Sequence, residues 1–251
     1  MVACSSGGGG ATTVSMASGA SPGSGVVGTA VSGPAAPGTT APPAQDRAAD
    51  TARAEGALLL LSDLPGKGWA AKQQLSEPSL QEIKVDCGSV TDRLKEAKKL
   101  LDAAPLVRSP RFSPGQGVEL QQTIAVLPAE RNANRVVEIY RDPAVPECLG
   151  KIAANDLGDA AEAEGVEVSG VPVVEPFVVT TDADDTVGFR TTLPVRVQGQ
   201  DRFITVIQLD IRAGRAISEL MLTSVGKPTA DEMQSLAVPA IKRMADAFGE
   251  S

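Results

Sequence analysis

Histidine is absent from this 251-residue chain. Its absence removes the commonest general base, excludes a Ser-His-Asp hydrolase and takes away the usual nitrogen ligand of zinc. No Gly-x-Ser-x-Gly elbow is present. The one Ser-x-x-Lys spacing, Ser224 to Lys227, stands before Pro228 without the partner motifs of penicillin-recognising enzymes. Aromatic residues make up only 3% of the chain, and the net charge is −8 with no basic run beyond Lys95, Lys98 and Lys99. Stacking platforms and phosphate-binding surfaces are therefore both missing, and nucleic acid is excluded as a partner. No apolar run approaches the roughly 18 residues a membrane-crossing helix needs. Asp182, Asp184 and Asp185 lack the following Gly and the distal Glu of an EF-hand loop. They read as a turn, and no metal or cofactor site is expected.

Charge is missing altogether from Ser5 to Pro43, where Gly, Ser, Ala, Thr and Pro dominate and no aromatic occurs. Such a segment cannot bury enough apolar surface to offset its ordering entropy, so residues 1–44 are expected to be a disordered tether. Its root-mean-square reach is roughly 30–37 Å. Near its start stands Val2-Ala3-Cys4-Ser5-Ser6, a small residue before a cysteine and then a flexible polar run. That pattern predicts a lipoprotein acylation site at Cys4, with a lipid anchor as the link to the membrane. Only Met1-Val2-Ala3 precedes it, so the basic and apolar parts of a secretory signal are expected upstream.

Cysteine is scarce as well. With Cys4 acylated, Cys87 and Cys148 remain, and an even pair in an exported protein points to a disulfide. A lone disulfide across about 60 residues is worth roughly 4 kcal/mol of unfolded-chain entropy.

Residues 45–251 have the length of one domain. Helical spacing covers residues 46–62, Thr91 or Asp92 to Asp102, 129–140 and 147–157. Alternation or β-branched runs mark strands at 118–127, 166–169, 171–179, 187–197, 203–211 and 216–225. Their short connections require antiparallel neighbours. Thr229-Ala230-Asp231-Glu232 forms a capping box before a last helix through Met233, Leu236, Ala240, Ile241, Met244 and Phe248. The expected class is α+β: an antiparallel sheet of four to six strands, with helices packed largely on one face.

The layout resembles that of actinobacterial envelope lipoproteins and of the PknH-like extracellular sensor domains. An opening helix leads into Leu58-Leu59-Leu60-Leu61-Ser62-Asp63-Leu64-Pro65-Gly66-Lys67-Gly68-Trp69, Cys148 follows a strand and helix, and two long paired strands precede the last helix. The resemblance covers about residues 49–248. It implies an extracytoplasmic domain with a ligand cleft and no catalytic role. The chain departs from the kinase ectodomains in having one cysteine pair where they carry two, and no kinase domain. PsbP-like lipoproteins share the class with a different topology.

Trp69 beside Leu64 and Pro65 is a candidate for a cleft mouth, and Phe189 and Phe203 are candidates for an apolar wall. The leading expectation is a non-catalytic, lipid-anchored sensor or ligand-binding module outside the cytoplasm, bound to an unidentified small molecule or lipid. An envelope protein partner is also compatible with it. A carrier of apolar ligands between membrane and wall is the alternative, and a cell-wall enzyme or accessory protein the third.

Overall fold

The computed structural model describes residues 44–72, 85–115, 117–163, 167–179, 183, 185–197, 199–226 and 230–249. Cys4 and residues 1–43 of the expected tether lie outside the described residues, as do Asp182, Asp184, Lys227 and Thr229 of the expected capping box; Ala44 already belongs to the first helix.

The chain folds around one antiparallel sheet. Its strands are β1 (Ala70–Lys72), β2 (Leu106–Arg108), β3 (Arg111–Gly115), β4 (Val118–Val126), β5 (Glu167–Val168), β6 (Val173–Pro176), β7 (Asp185–Val197), β8 (Gln200–Ala213) and β9 (Ala216–Val225). The helices are α1 (Ala44–Ala57), α2 (Ser89–Asp102), α3 (Glu130–Tyr140), α4 (Val145–Ala163) and α5 (Ala230–Phe248). The α+β class stands, but nine strands among the described residues replace the expected four to six. They occupy the lateral order β1-β3-β4-β9-β8-β7-β5, because β2 shares the β4 edge with β3, and β6 shares the β7 edge with β5. The β2–β3 edge is broken at Ser109-Pro110, where proline has no N–H to give the ladder. Three residues of β1, three of β2 and five of β3 offer no alternation long enough to read, which is why the sequence conceals them.

Helices cover both faces, not largely one. Along β4, Leu120, Ile124 and Val126 point one way, and Ala125 points the other, with Leu127 beyond the strand end following it. The first face packs under α1 and α5 through Ala54, Ala57, Met233, Leu236, Ala240, Met244 and Phe248. The second packs under α2, α3 and α4 through Leu94, Ala97, Ala133, Val136, Ile139, Val145 and Cys148, joined by Phe189 and Ile217. Apolar residues on both sides of the central strands demand this two-sided cover, because a bare face would leave them in water.

Two polar ties cross the first core. Gln122, fully buried, accepts from the Leu59 amide at 2.6 Å and donates to Ser218 Oγ at 2.9 Å. Arg215, in the β8–β9 turn, donates to Asp50 of α1 and to the Leu127 carbonyl. That turn needs Gly214: its φ is +52°, and a Cβ there would stand 2.8 Å from the Phe248 carbonyl oxygen.

Cys87 and Cys148 are bridged, with their Cα atoms 5.7 Å apart, tying the start of α2 to α4. Replacing both by serine is expected to lower unfolding free energy by about 2–4 kcal/mol. Urea denaturation with tryptophan emission and circular dichroism together measures it, and an unchanged midpoint would contradict it.

Candidate functional site

The loop after α1 is held at both ends before it presents its tryptophan. Leu64 is buried in the first core. Asp63 accepts from the Leu60 amide at 2.7 Å and from Arg243 Nε of α5 at 2.6 Å, and Arg243 also donates to the Gly56 carbonyl. Burial opposes ionisation of Asp63, but the bonds from Arg243 and Leu60 outweigh it and hold the carboxyl below its usual range. The chain then turns through Gly66 and Gly68, both at positive φ. Trp69 Nε1 donates to the Pro65 carbonyl at 2.9 Å, which fixes the indole against its own loop.

This loop forms one wall of a cleft of about 400 Å³. Pro114 and Val118, from the β3–β4 hairpin, form a second wall. Leu222, Ser224 and Val225, at the end of β9, make the floor, and Glu232, Ser235 and Leu236 of the first turns of α5 close the far side. Most of the lining is apolar. Ser224 is the exception in its depth: the residue is only 5% exposed, and its Oγ has no hydrogen-bond partner among the described residues. An unmade bond at a buried hydroxyl is costly, and it marks where a ligand atom would be favoured.

Of the three residues expected to line a site, the structure places only Trp69 at this cleft. Phe189 is buried in the core on the opposite face of the sheet, edge-on to Tyr140 with ring centres 6.5 Å apart. There it borders a second hollow of about 310 Å³ with Pro146, Phe177 and Val187. Phe203 is 44% exposed near the start of β8, and its carbonyl accepts from the Gly226 amide. Ser224 and Glu232 were not singled out as binding residues. Ser224 stands out in the sequence only as the head of a Ser-x-x-Lys spacing, which does not show that its hydroxyl ends up buried and unpartnered.

A second polar group sits under α3 on the other face. Asp210 and Glu219 are cross-strand partners of β8 and β9, and Gln208 Nε2 donates to both, at 3.0 and 3.3 Å. Burial pushes the Asp210 carboxyl well above its usual range, and the Glu219 charge adds to this against the opposing Gln208 bond. Burial raises Glu219 too, countered by Arg108. The Tyr140 hydroxyl is raised by burial and then by the two carboxylates. No group of three or more Asp, Glu or Cys able to hold a metal occurs among the described residues. Asp185 is paired with Arg141.

No protein-family model matches the chain, and neither a curated protein nor a solved structure matches it. What the structure defines is an α+β domain built on a two-sided antiparallel sheet, with an open cleft beside its only tryptophan.

Two outcomes follow from this geometry. The folded state keeps protons on Asp210 and Glu219 that the unfolded chain releases, so their contribution to stability falls as pH rises from the ordinary carboxylate range toward the raised one. Asp210→Asn should therefore be more stable than the native chain at pH 7, by about 1 kcal/mol or more, with the difference closing toward pH 4. Thermal melting across that range measures it, and equal curves at pH 7 would refute the raised carboxyl. Ser224→Ala should cost nothing, or add up to about 1 kcal/mol, because it removes a hydroxyl with no partner. A loss of more than about 1 kcal/mol in urea denaturation would mean that Ser224 is structurally bonded.

Proposed function

We propose that this protein is a lipid-anchored, non-catalytic sensor or ligand-binding module of a bacterial cell envelope, of the kind the PknH-like sensor domains represent, and that its ligand occupies the Trp69 cleft. The observation that carries the reading is the cleft itself: a concave, mostly apolar site of about 400 Å³ holding one deep, unsatisfied hydroxyl. Small-molecule sites combine apolar walls with a few placed polar groups in this way. The Cys87–Cys148 bridge supports an oxidising compartment, where such bonds persist. The small-residue–cysteine pattern at Cys4, followed by an uncharged flexible run, supports acylation and a leash to the membrane.

A carrier of apolar ligands is the second reading, favoured by the cleft's Pro, Val and Leu walls. The carrier and the sensor differ in what they hold, since a carrier takes lipid out of a bilayer and a sensor need not.

The test is native mass spectrometry of the protein expressed in an actinobacterial host and purified without reduction. The expected result is a non-covalent mass released by organic solvent, a protein two hydrogens lighter than its free-thiol form, and an acyl modification lost in Cys4→Ser. A bound lipid would favour the carrier. An unmodified Cys4 would overturn the anchor, and free thiols would overturn the extracytoplasmic placement.

A further inference from the structure

We infer that the Trp69 cleft is a saccharide site, in which a sugar ring lies against the indole and one of its hydroxyls bonds Ser224 Oγ. This deepens the ligand-binding reading and rests on it. Three features of the cleft select the ligand class.

The first is the way Trp69 is held. Its N–H is already spent on the Pro65 carbonyl, so Trp69 offers a ligand its ring and not a donor. The face of an indole is electron-rich, and it attracts the weakly positive C–H groups that line one side of a sugar ring. Pro65 and Pro114 extend the same kind of rigid, apolar surface beside it.

The second is Ser224. Its hydroxyl is buried, unpartnered among the described residues and set in the floor next to Leu222. A wholly apolar ligand, such as an acyl chain, would cover that hydroxyl and leave it permanently unpaired, which disfavours it. A ligand hydroxyl both donates and accepts, as the serine does, and so can meet it in either sense.

The third is charge. No Lys or Arg is among the described residues lining the cleft, where Glu232 and Ser235 stand on the α5 side. Among the described lining residues a phosphate, sulfate or carboxylate would meet no cation. A neutral polyol meets acceptors on one wall and carbon surface on the other. The cleft is open to solvent, so the ring can be the end of a longer glycan.

The chain's only tryptophan lies in the site, so its emission reports occupancy without a label. The full chain is titrated with chitobiose, maltose, a mannose disaccharide and arabinose, and in parallel with choline and with lysophosphatidylcholine micelles. The expected result is a saturable change in Trp69 emission with at least one saccharide and none with choline. Ser224→Ala should then weaken that saccharide about tenfold, the worth of one hydrogen bond, while its melting curve stays at or above the native one. Trp69→Phe, followed by calorimetry, should weaken it further.

A response to choline or to the micelles with no response to any saccharide would overturn the sugar assignment and leave the cleft standing as a ligand site. Saccharide binding that Ser224→Ala leaves unchanged would overturn the placement of the ring. Silence with every probe would overturn the saccharide site, and a ligand-free native mass spectrum beside that silence would take the ligand-binding reading with it.

Discussion

The β8–β9 hairpin is the constraint on which the rest of the molecule depends. Its two strands stay in unbroken register from Ile204 opposite Val225 to Ala213 opposite Ala216, with β7 and β4 on their outer edges. Because side chains alternate, one register places Ile207, Leu209, Ile211, Leu220 and Leu222 together on the first face and Asp210, Ile217 and Glu219 together on the second. A slip of one residue would exchange those sets and put both carboxyl groups in the α5 core. The turn at Gly214 is what prevents the slip: only glycine fits both its positive φ and the nearby Phe248 carbonyl. Arg215 then links the turn to α1 through Asp50, so the register of the sheet also positions the first helix.

The two faces have different characters as a result. The first is covered by α1 and α5 over aliphatic clusters, and it opens where β9 runs out near Ser224 and the loop after α1 bends away. The cleft is thus a consequence of strand ends and not a gap in the core. The second face carries its polar residues under α3, where Gln208 reaches both Asp210 and Glu219, and Tyr140 covers them beside Phe189. On the first face, Gly188 lets the Phe177 backbone approach β7, its carbonyl accepting the Phe177 amide at 2.8 Å. A buried acidic pair is destabilising by itself. It is tolerated here because the sheet around it is stabilised from both sides.

Much of the fold was legible in the chain. Long alternating runs foretold β4, β7, β8 and β9, and the 3.6-residue spacing of Met233, Leu236, Ala240, Ile241 and Met244 foretold α5. The first helix was read as reaching residue 62, yet it stops at Ala57, because the Leu59 amide is drawn away to Gln122 of β4. The fourth helix begins at Val145 and runs to Ala163, beyond the expected 147–157. Of the candidate site, Trp69 was visible as a lone tryptophan beside Leu64, Pro65 and two glycines. Phe189 and Phe203 are as apolar in sequence, but alternation sends one into the opposite core and leaves the other at a strand end.

The amino-acid sequence by itself determined the class, the helices and long strands, the cysteine pair and the chemistries ruled out by lacking histidine. Those properties are local or compositional: a period of 2 or of about 3.6 residues, a count, an absence. Only the tertiary structure decided that both faces are covered, that β1, β2 and β3 extend the sheet, that Asp210 meets Glu219, and that Ser224 ends up buried beside Trp69. Each of those depends on residues far apart in the chain being brought together. Ser224 and Trp69 lie at opposite ends of the described strands in chain order, and no local pattern records which strand end will finish beside which loop.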